Sequence, residues 1–151
     1  MTQHDTELLS PGDYEALANL RYELRRFTDF SSYEVQKLSL TPQQHQALLA
    51  IKGLSGSQRM SIGMLADRLL VAPQTATGLV DRLEEEGLVE RQAVKSDGRK
   101  QTLALTAKAE KILEGLSGVH LHEIREMAPK LMLALRALQD RRKLEKIAWM
   151  A

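Results

Sequence analysis

Between Gln74 and Arg82 the sequence gathers short or amide-bearing side chains, namely Gln74, Thr75, Thr77, Gly78, Asp81 and Arg82, at positions that share the outer side of one helix. Such groups hydrogen-bond base edges and phosphate oxygens without holding a helix away from a groove. A second cluster, Lys95-Ser96-Asp97-Gly98-Arg99-Lys100, puts three cations around an Asp-Gly turn. From residue 87 to 111 the cations Arg91, Lys95, Arg99, Lys100, Lys108 and Lys111 face only the acids Glu90, Asp97 and Glu110, so the positive excess sits at that turn. Together the two clusters suit recognition of a polyanion. Gly78 is double-edged: a glycine inside a helix costs about 1 kcal/mol relative to alanine. Close approach to DNA or to another backbone would explain it, and so would drift at a tolerant site.

Two short helices and a hairpin must position these groups. Leu65, Leu69 and Leu70 fall at helical spacing, and Ala66 is small enough to let a second helix cross nearby. Pro73 suits the first position of that second helix and Gly87 the left-handed residue just past its end. Within it Ala76, Leu79, Val80 and Leu83 make one buried face. Beyond Gly87 the period drops to two: residues 88–91 and 101–105 read as strands, with Leu103 and Leu105 on the inner face.

The run LADRLLVAPQTATGLVDRLEEEGLVER, followed by Asp97-Gly98-Arg99 and Leu103-Ala104-Leu105-Thr106, resembles the winged helix-turn-helix of the MarR (multiple antibiotic resistance regulator) transcription regulators. The resemblance covers the whole chain. It implies a mainly α fold with a small β-hairpin wing, a DNA-binding region over residues 41–106, and N- and C-terminal dimerisation helices over 13–38 and 107–149, all in one domain. It further implies a homodimer on a near-palindromic stretch of double-stranded DNA. Gln74, Thr75, Thr77, Gly78 and Arg82 would then meet the major groove and its phosphates. Arg99 resembles the minor-groove arginine of the family's wing, with Asp97 orienting it and Lys100 beside it. Gln74 and Thr75 depart from the more basic or serine-rich openings of many members, so base preference does not carry over.

Composition narrows the alternatives. A chain of 151 residues with 43% hydrophobic and 27% charged residues has enough apolar material for one core, and a second independent domain does not fit. Net charge is only +1, so DNA affinity must come from local placement of charge. Cysteine is absent, which excludes a disulfide frame, a thiolate metal site and the thiol-oxidation switch that some MarR relatives use. The opening MTQHDTELLS lacks the basic start and apolar core of a signal peptide, and no apolar run approaches the ~18 residues of a membrane span. A cytoplasmic protein without membrane contact is expected.

The rest of the chain reads as follows. Residues 14–36 carry Leu17, Leu20, Leu24, Phe27 and Phe30 on one helical face. Thr41 and Pro42 start a helix with Ala47, Leu48 and Ile51 inward. Gly53-Leu54-Ser55-Gly56 lacks the Gly-Lys-Ser/Thr ending of a phosphate-binding loop. Ser61 caps the next helix, Thr106 a helix to about 127, and Pro129 opens a last one to about 149. On that last helix Leu131, Met132, Leu133, Leu135 and Leu138 offer more apolar surface than the edge of a small monomer needs, as a two-fold dimer would require.

No enzyme is indicated. His4, His45, His120 and His122 lack any supporting catalytic motif, and His120 and His122 lie on opposite sides of a helix, so no metal or cofactor is expected; the alternative to solvated or core histidines is a site built from one of these two with His45 or Glu123. Glu84-Glu85-Glu86 suits a solvated helix face. The family resemblance implies a small, often aromatic and anionic effector. Arg21, Arg25 or Arg26 could meet an anion, Phe27, Phe30 and Tyr33 an aromatic ring, and His45 could serve as a polar handle. Against this stand plain core aromatics and solvated arginines. Two functions stay in view: a DNA-binding regulator, most simply a repressor released by such an effector, and a winged-helix module that binds protein rather than DNA.

Overall fold

The computed structural model describes residues 8–54, 58–94 and 97–139, with the side chains of residues 97–99 outside the description. Its elements are α1 (Pro11–Gln36), α2 (Pro42–Gly53), β1 (Met60–Ser61), α3 (Ile62–Leu69), α4 (Pro73–Glu85), β2 (Val89–Val94), β3 (Asp97–Leu105) and α5 (Ala107–Gln139). The chain divides into two compact units, 31–120 and the pair 1–30 with 121–151.

In the first of these, residues 31–120, helix ends are set by local bonds. Thr41 and Gln44 form a reciprocal cap on α2: the Thr41 hydroxyl accepts from the Gln44 amide (3.1 Å) and the Gln44 side chain accepts from the Thr41 amide (3.0 Å). Ser61 accepts from the Met64 amide and starts α3. The apolar faces of these helices meet in a core that includes Val35, Leu48, Leu65, Val80, Leu83, Leu88, Val89, Leu103 and Leu113. Ala66 and Ala76 are buried as α3 packs against α4.

The sheet holds three strands in the order β1-β3-β2, all antiparallel. β1 has no counterpart among the expected elements. A two-residue strand carries no period, and its evidence lies in long-range pairing, Met60 with Leu103 and Ser61 with Thr102. The wing also differs from expectation. Val94 pairs with Asp97, so Asp97 and Gly98 already belong to β3 and the connection falls on residues 95–96, outside the described residues. The register shifts between Ala93 and Val94, which leaves residues 98–100 as an irregularity near the tip.

Leu70 corrects another expectation. Its helical spacing with Leu65 and Leu69 puts it within the helix, yet it ends α3 in the left-handed conformation (φ 57°) and is 92% exposed. Its amide bonds back to Ala66 and Asp67, which turns the chain toward α4. A leucine there pays the left-handed penalty, of the order of 1 kcal/mol, and recovers nothing by burial. Leu70→Gly should therefore raise unfolding stability by roughly 0.5–1 kcal/mol despite the freer unfolded chain. Urea denaturation checks this, and an unchanged or lower midpoint would mean that the turn needs the side chain.

In the other unit, α1 starts earlier than periodicity suggests. Ser10 and Asp13 cap each other, amide to carboxylate at 2.8 Å and amide to hydroxyl at 3.2 Å, with Pro11 at the first position. The expected break at Pro129 does not occur, because α5 runs through it to Gln139. A proline costs one backbone bond, but its ring is on the exposed side here while Met127 and Ala134 are buried, so packing carries the helix across. The expected continuation to 149 lies outside the described residues. Among the described residues no helix is long and apolar enough to cross a membrane.

Candidate nucleic-acid interface

α4 has a buried side of Ala76, Leu79, Val80 and Leu83, which leaves Gln74, Thr75, Thr77, Gly78, Asp81 and Arg82 exposed on the other. Ala72 precedes the helix without a side-chain cap, and Pro73 brings no N–H of its own. The first-turn amides therefore face solvent with a partial positive charge. The Thr77 hydroxyl donates to the Pro73 carbonyl at 3.0 Å and keeps its lone pairs for an outside donor. A Cβ on Gly78 would meet nothing within 4 Å, so no packing inside the chain requires a glycine there. Arg82 makes no ion pair among the described residues.

Asp81 is differently employed. Arg91 on β2 reaches over to Asp81 and to Glu84, the latter at 3.2 Å, and its backbone amide also donates to Glu84. The hydrogen bond to Asp81, and with it the nearby charges of Glu84 and Asp81, raise the Arg91 pKa above the ordinary arginine value against a smaller desolvation effect. The guanidinium thus neutralises two carboxylates on the helix that carries the candidate DNA face. By sequence Arg91 is one of the basic residues of the hairpin. Its signal was present, ten residues after Asp81 and seven after Glu84, but only the path of β2 brings the three together.

The far end of α4 is tied down from three sides. Gln44 on α2 donates to Glu86 at 3.1 Å, Lys108 on α5 donates to the Glu86 carbonyl at 2.9 Å, and the Thr106 hydroxyl donates to the Gly87 carbonyl at 2.6 Å. Lys108 also offsets the negative end of the helix dipole. Gly87 takes the expected positive φ of 71°. The exposed face of α4 is thereby held to α2, to the sheet and to α5. Asp97 and Arg99 lie at the start of β3 and Lys100 is exposed just after them.

The residues considered for an effector are distributed as follows. Arg21 and Arg25 border a shallow hollow of about 260 Å³ on α1 with Leu24, Thr28 and Asp29. Phe27 and Phe30 are half-buried, whereas Tyr33 is exposed and carries the Lys37 ammonium over its ring at 4.5 Å. His45 is buried in the 31–120 unit, its ring 5.0 Å from that of His120. His120 bonds the Ser31 hydroxyl through Nε2 at 2.7 Å and donates from Nδ1 to the Leu116 carbonyl at 2.8 Å. No group of three or more metal-binding side chains occurs among the described residues.

Burial, and then the neighbouring His120, lower the His45 pKa. The unfolded chain therefore takes up a proton at a pH where the folded one does not. Stability contributed by neutral His45 is full above the ordinary histidine value of about 6.5 and is lost as pH falls below it. Urea unfolding at a series of pH values should show wild-type stability declining from pH 7 to 5.5 more steeply than that of His45→Phe. Parallel profiles would remove His45 as the cause.

Comparison with known proteins gives a consistent answer. Residues 38–100 match the model of the MarR family. An uncharacterized HTH-type transcriptional regulator of Bacillus subtilis (strain 168), YfiV, is 31% identical over 83 residues, which span 55% of this chain and 50% of that relative. This chain thus matches about half the length of that protein. Among solved structures it is similar to AbsC, a MarR family transcriptional regulator from Streptomyces coelicolor, with a TM-score of 0.67, 22% identity and 94% and 93% of the two chains covered. It is also similar to MepR of Staphylococcus aureus in a complex with DNA, with a TM-score of 0.61, 18% identity and 86% and 91% covered.

Proposed function

We propose that this chain is a transcriptional regulator of the MarR type and acts as a homodimeric, sequence-specific repressor, a reading supported by the match of residues 38–100 to the MarR family model and by the similarity to YfiV and AbsC. The observation that carries this reading is the exposed polar face of α4, anchored to α2, the sheet and α5 by the bonds at Arg91, Glu86 and Gly87. An anchored helix can present its side chains to a groove in one orientation. Gln74 and Thr75 in the first turn meet base edges, Thr77 and Arg82 meet phosphates, and Gly78 lets the helix sit deep. Arg99, oriented by Asp97, enters the minor groove from the wing, with Lys100 on the backbone. The MepR complex with DNA supports DNA as the partner.

Residues 13–38 and 107–149 supply the dimer, as the exposed Leu17, Leu24, Met132, Leu133 and Leu135 favour. Two α4 helices then face successive major grooves, so the operator is a near-palindrome with half-sites ~10 base pairs apart. Repression is relieved by a small aromatic or anionic molecule, with Arg21, Arg25, Phe27, Phe30 and His45 as the residues to test. Such a molecule must prefer the DNA-incompetent state, and a tenfold loss of operator affinity needs only ~1.4 kcal/mol of preference.

A gel-shift assay on the region upstream of the gene, with a salt titration, tests the reading. Phosphate contacts make log K fall steeply with log salt. The net charge of +1 is what favours the alternative, a winged-helix module for protein partners. Absence of a specific, salt-sensitive shift on any genomic fragment would decide for that alternative.

A further inference from the structure

We propose that Glu23 is the buried half of an ion pair completed between subunits, its cation coming from a second copy of this chain. The inference rests on the dimeric reading above and adds to it the residue that makes the surface selective. Glu23 lines a cavity of about 420 Å³ between the first half of α1 and the last turns of α5, with Ala16 and Tyr22 on one side and Leu133, Ala134 and Ala137 on the other. Its side chain is only 6% exposed, and its Oε2 has no hydrogen-bond partner among the described residues. Arg26 on the same helix stands 4.0 Å away, too far for a hydrogen bond, and lies equally far from Glu123. Lys130 borders the cavity but forms no ion pair among the described residues.

A buried carboxylate without a donor is a group waiting for one. The surroundings say what brings it. Leu133 is 71% exposed beside the cavity, and Leu17, Met132 and Leu135 on the same two helices are exposed as well. A diffusible amine would satisfy the carboxylate and leave this apolar surface in water, whereas a protein surface covers both. In a two-fold dimer the surface that offers the groove also offers what fills it. The cation that the described part of this surface offers is Arg136, exposed near the end of α5.

Sedimentation equilibrium of the full chain without DNA tests the pair. Wild type should be a dimer, and Glu23→Met, which has a similar size and no charge, should raise the dimer dissociation constant roughly 100-fold because it strands the partner's cation. Helical circular dichroism equal to wild type establishes that this variant is folded. Glu23→Lys should fail to dimerise alone and recover when mixed with Arg136→Glu. A monomeric wild type would overturn the dimeric reading itself. A dimeric wild type with Glu23→Met equally tight or tighter would overturn the ion pair alone. Saturable binding of n-butylammonium to wild type but not to Glu23→Met, with dimerisation unchanged, would overturn it in favour of a small-cation site.

Discussion

Arg91→Ala is expected to weaken operator binding by about tenfold to 100-fold while costing only ~1 kcal/mol of folding stability. The two effects have different origins. For the fold, Arg91 bridges β2 to Asp81 and Glu84, which are themselves about half-exposed, so water screens the pair and the loss is modest. For DNA binding, removing the guanidinium exposes two uncompensated carboxylates on the helix proposed to face phosphates. Asp81 lies one turn beyond Thr77 and directly before Arg82, within the candidate contact face. A loss of 1.4 kcal/mol per tenfold is within reach of such repulsion at low salt. Asp81→Asn distinguishes screening from packing. It breaks the same bridge but removes the carboxylate, so it should bind DNA at least as well as wild type and should restore part of the affinity when combined with Arg91→Ala. Fluorescence anisotropy with an operator duplex measures all four proteins. If Asp81→Asn is as damaging as Arg91→Ala, the bridge acts by holding the wing rather than by neutralising charge.

The second large effect is expected at the wing. Arg99→Ala should lower operator affinity by roughly 1–3 kcal/mol and flatten the dependence of log K on log salt by about one contact, with unfolding midpoints unchanged. Arg99 lies two residues into β3, in the stretch where the register with β2 shifts, so its backbone is outside the regular ladder. Lys100→Ala, beside it, should reduce affinity less and more uniformly across sequences, as a phosphate contact does. Folded Arg99→Ala protein with wild-type affinity would remove Arg99 from the interface and leave α4 as the sole carrier of DNA contacts.

Much of this protein is determined locally, and those parts are legible in the sequence. The Thr41-Pro42 start of α2, the Ser61 start of α3, Pro73 and Gly87 at the ends of α4, and Thr106 before α5 are short-range bonds between residues about three apart, so side-chain type and spacing are enough to find them. The inner face of α4 follows from period alone, and with it the outer face of Gln74, Thr75, Thr77, Gly78 and Arg82. What depends on distant chain segments was not legible. β1 exists because Met60 and Ser61 meet Leu103 and Thr102. Asp97-Gly98, the strongest turn signal near the wing tip, is drawn into β3 by pairing with Val94, since register is settled by the partner strand as well as by the turn. Leu70 looks like a core leucine because its spacing fits, and only the need to turn from α3 into α4 puts it in the left-handed region. Pro129 reads as a break, yet burial of Met127 and Ala134 outweighs one lost backbone bond. The same division holds for the charges. Sequence alone counts Glu23, His45 and Arg91, but their environments are set by side chains that arrive from elsewhere in the chain, and tertiary structure decides which charge is buried, which is neutral and which is paired.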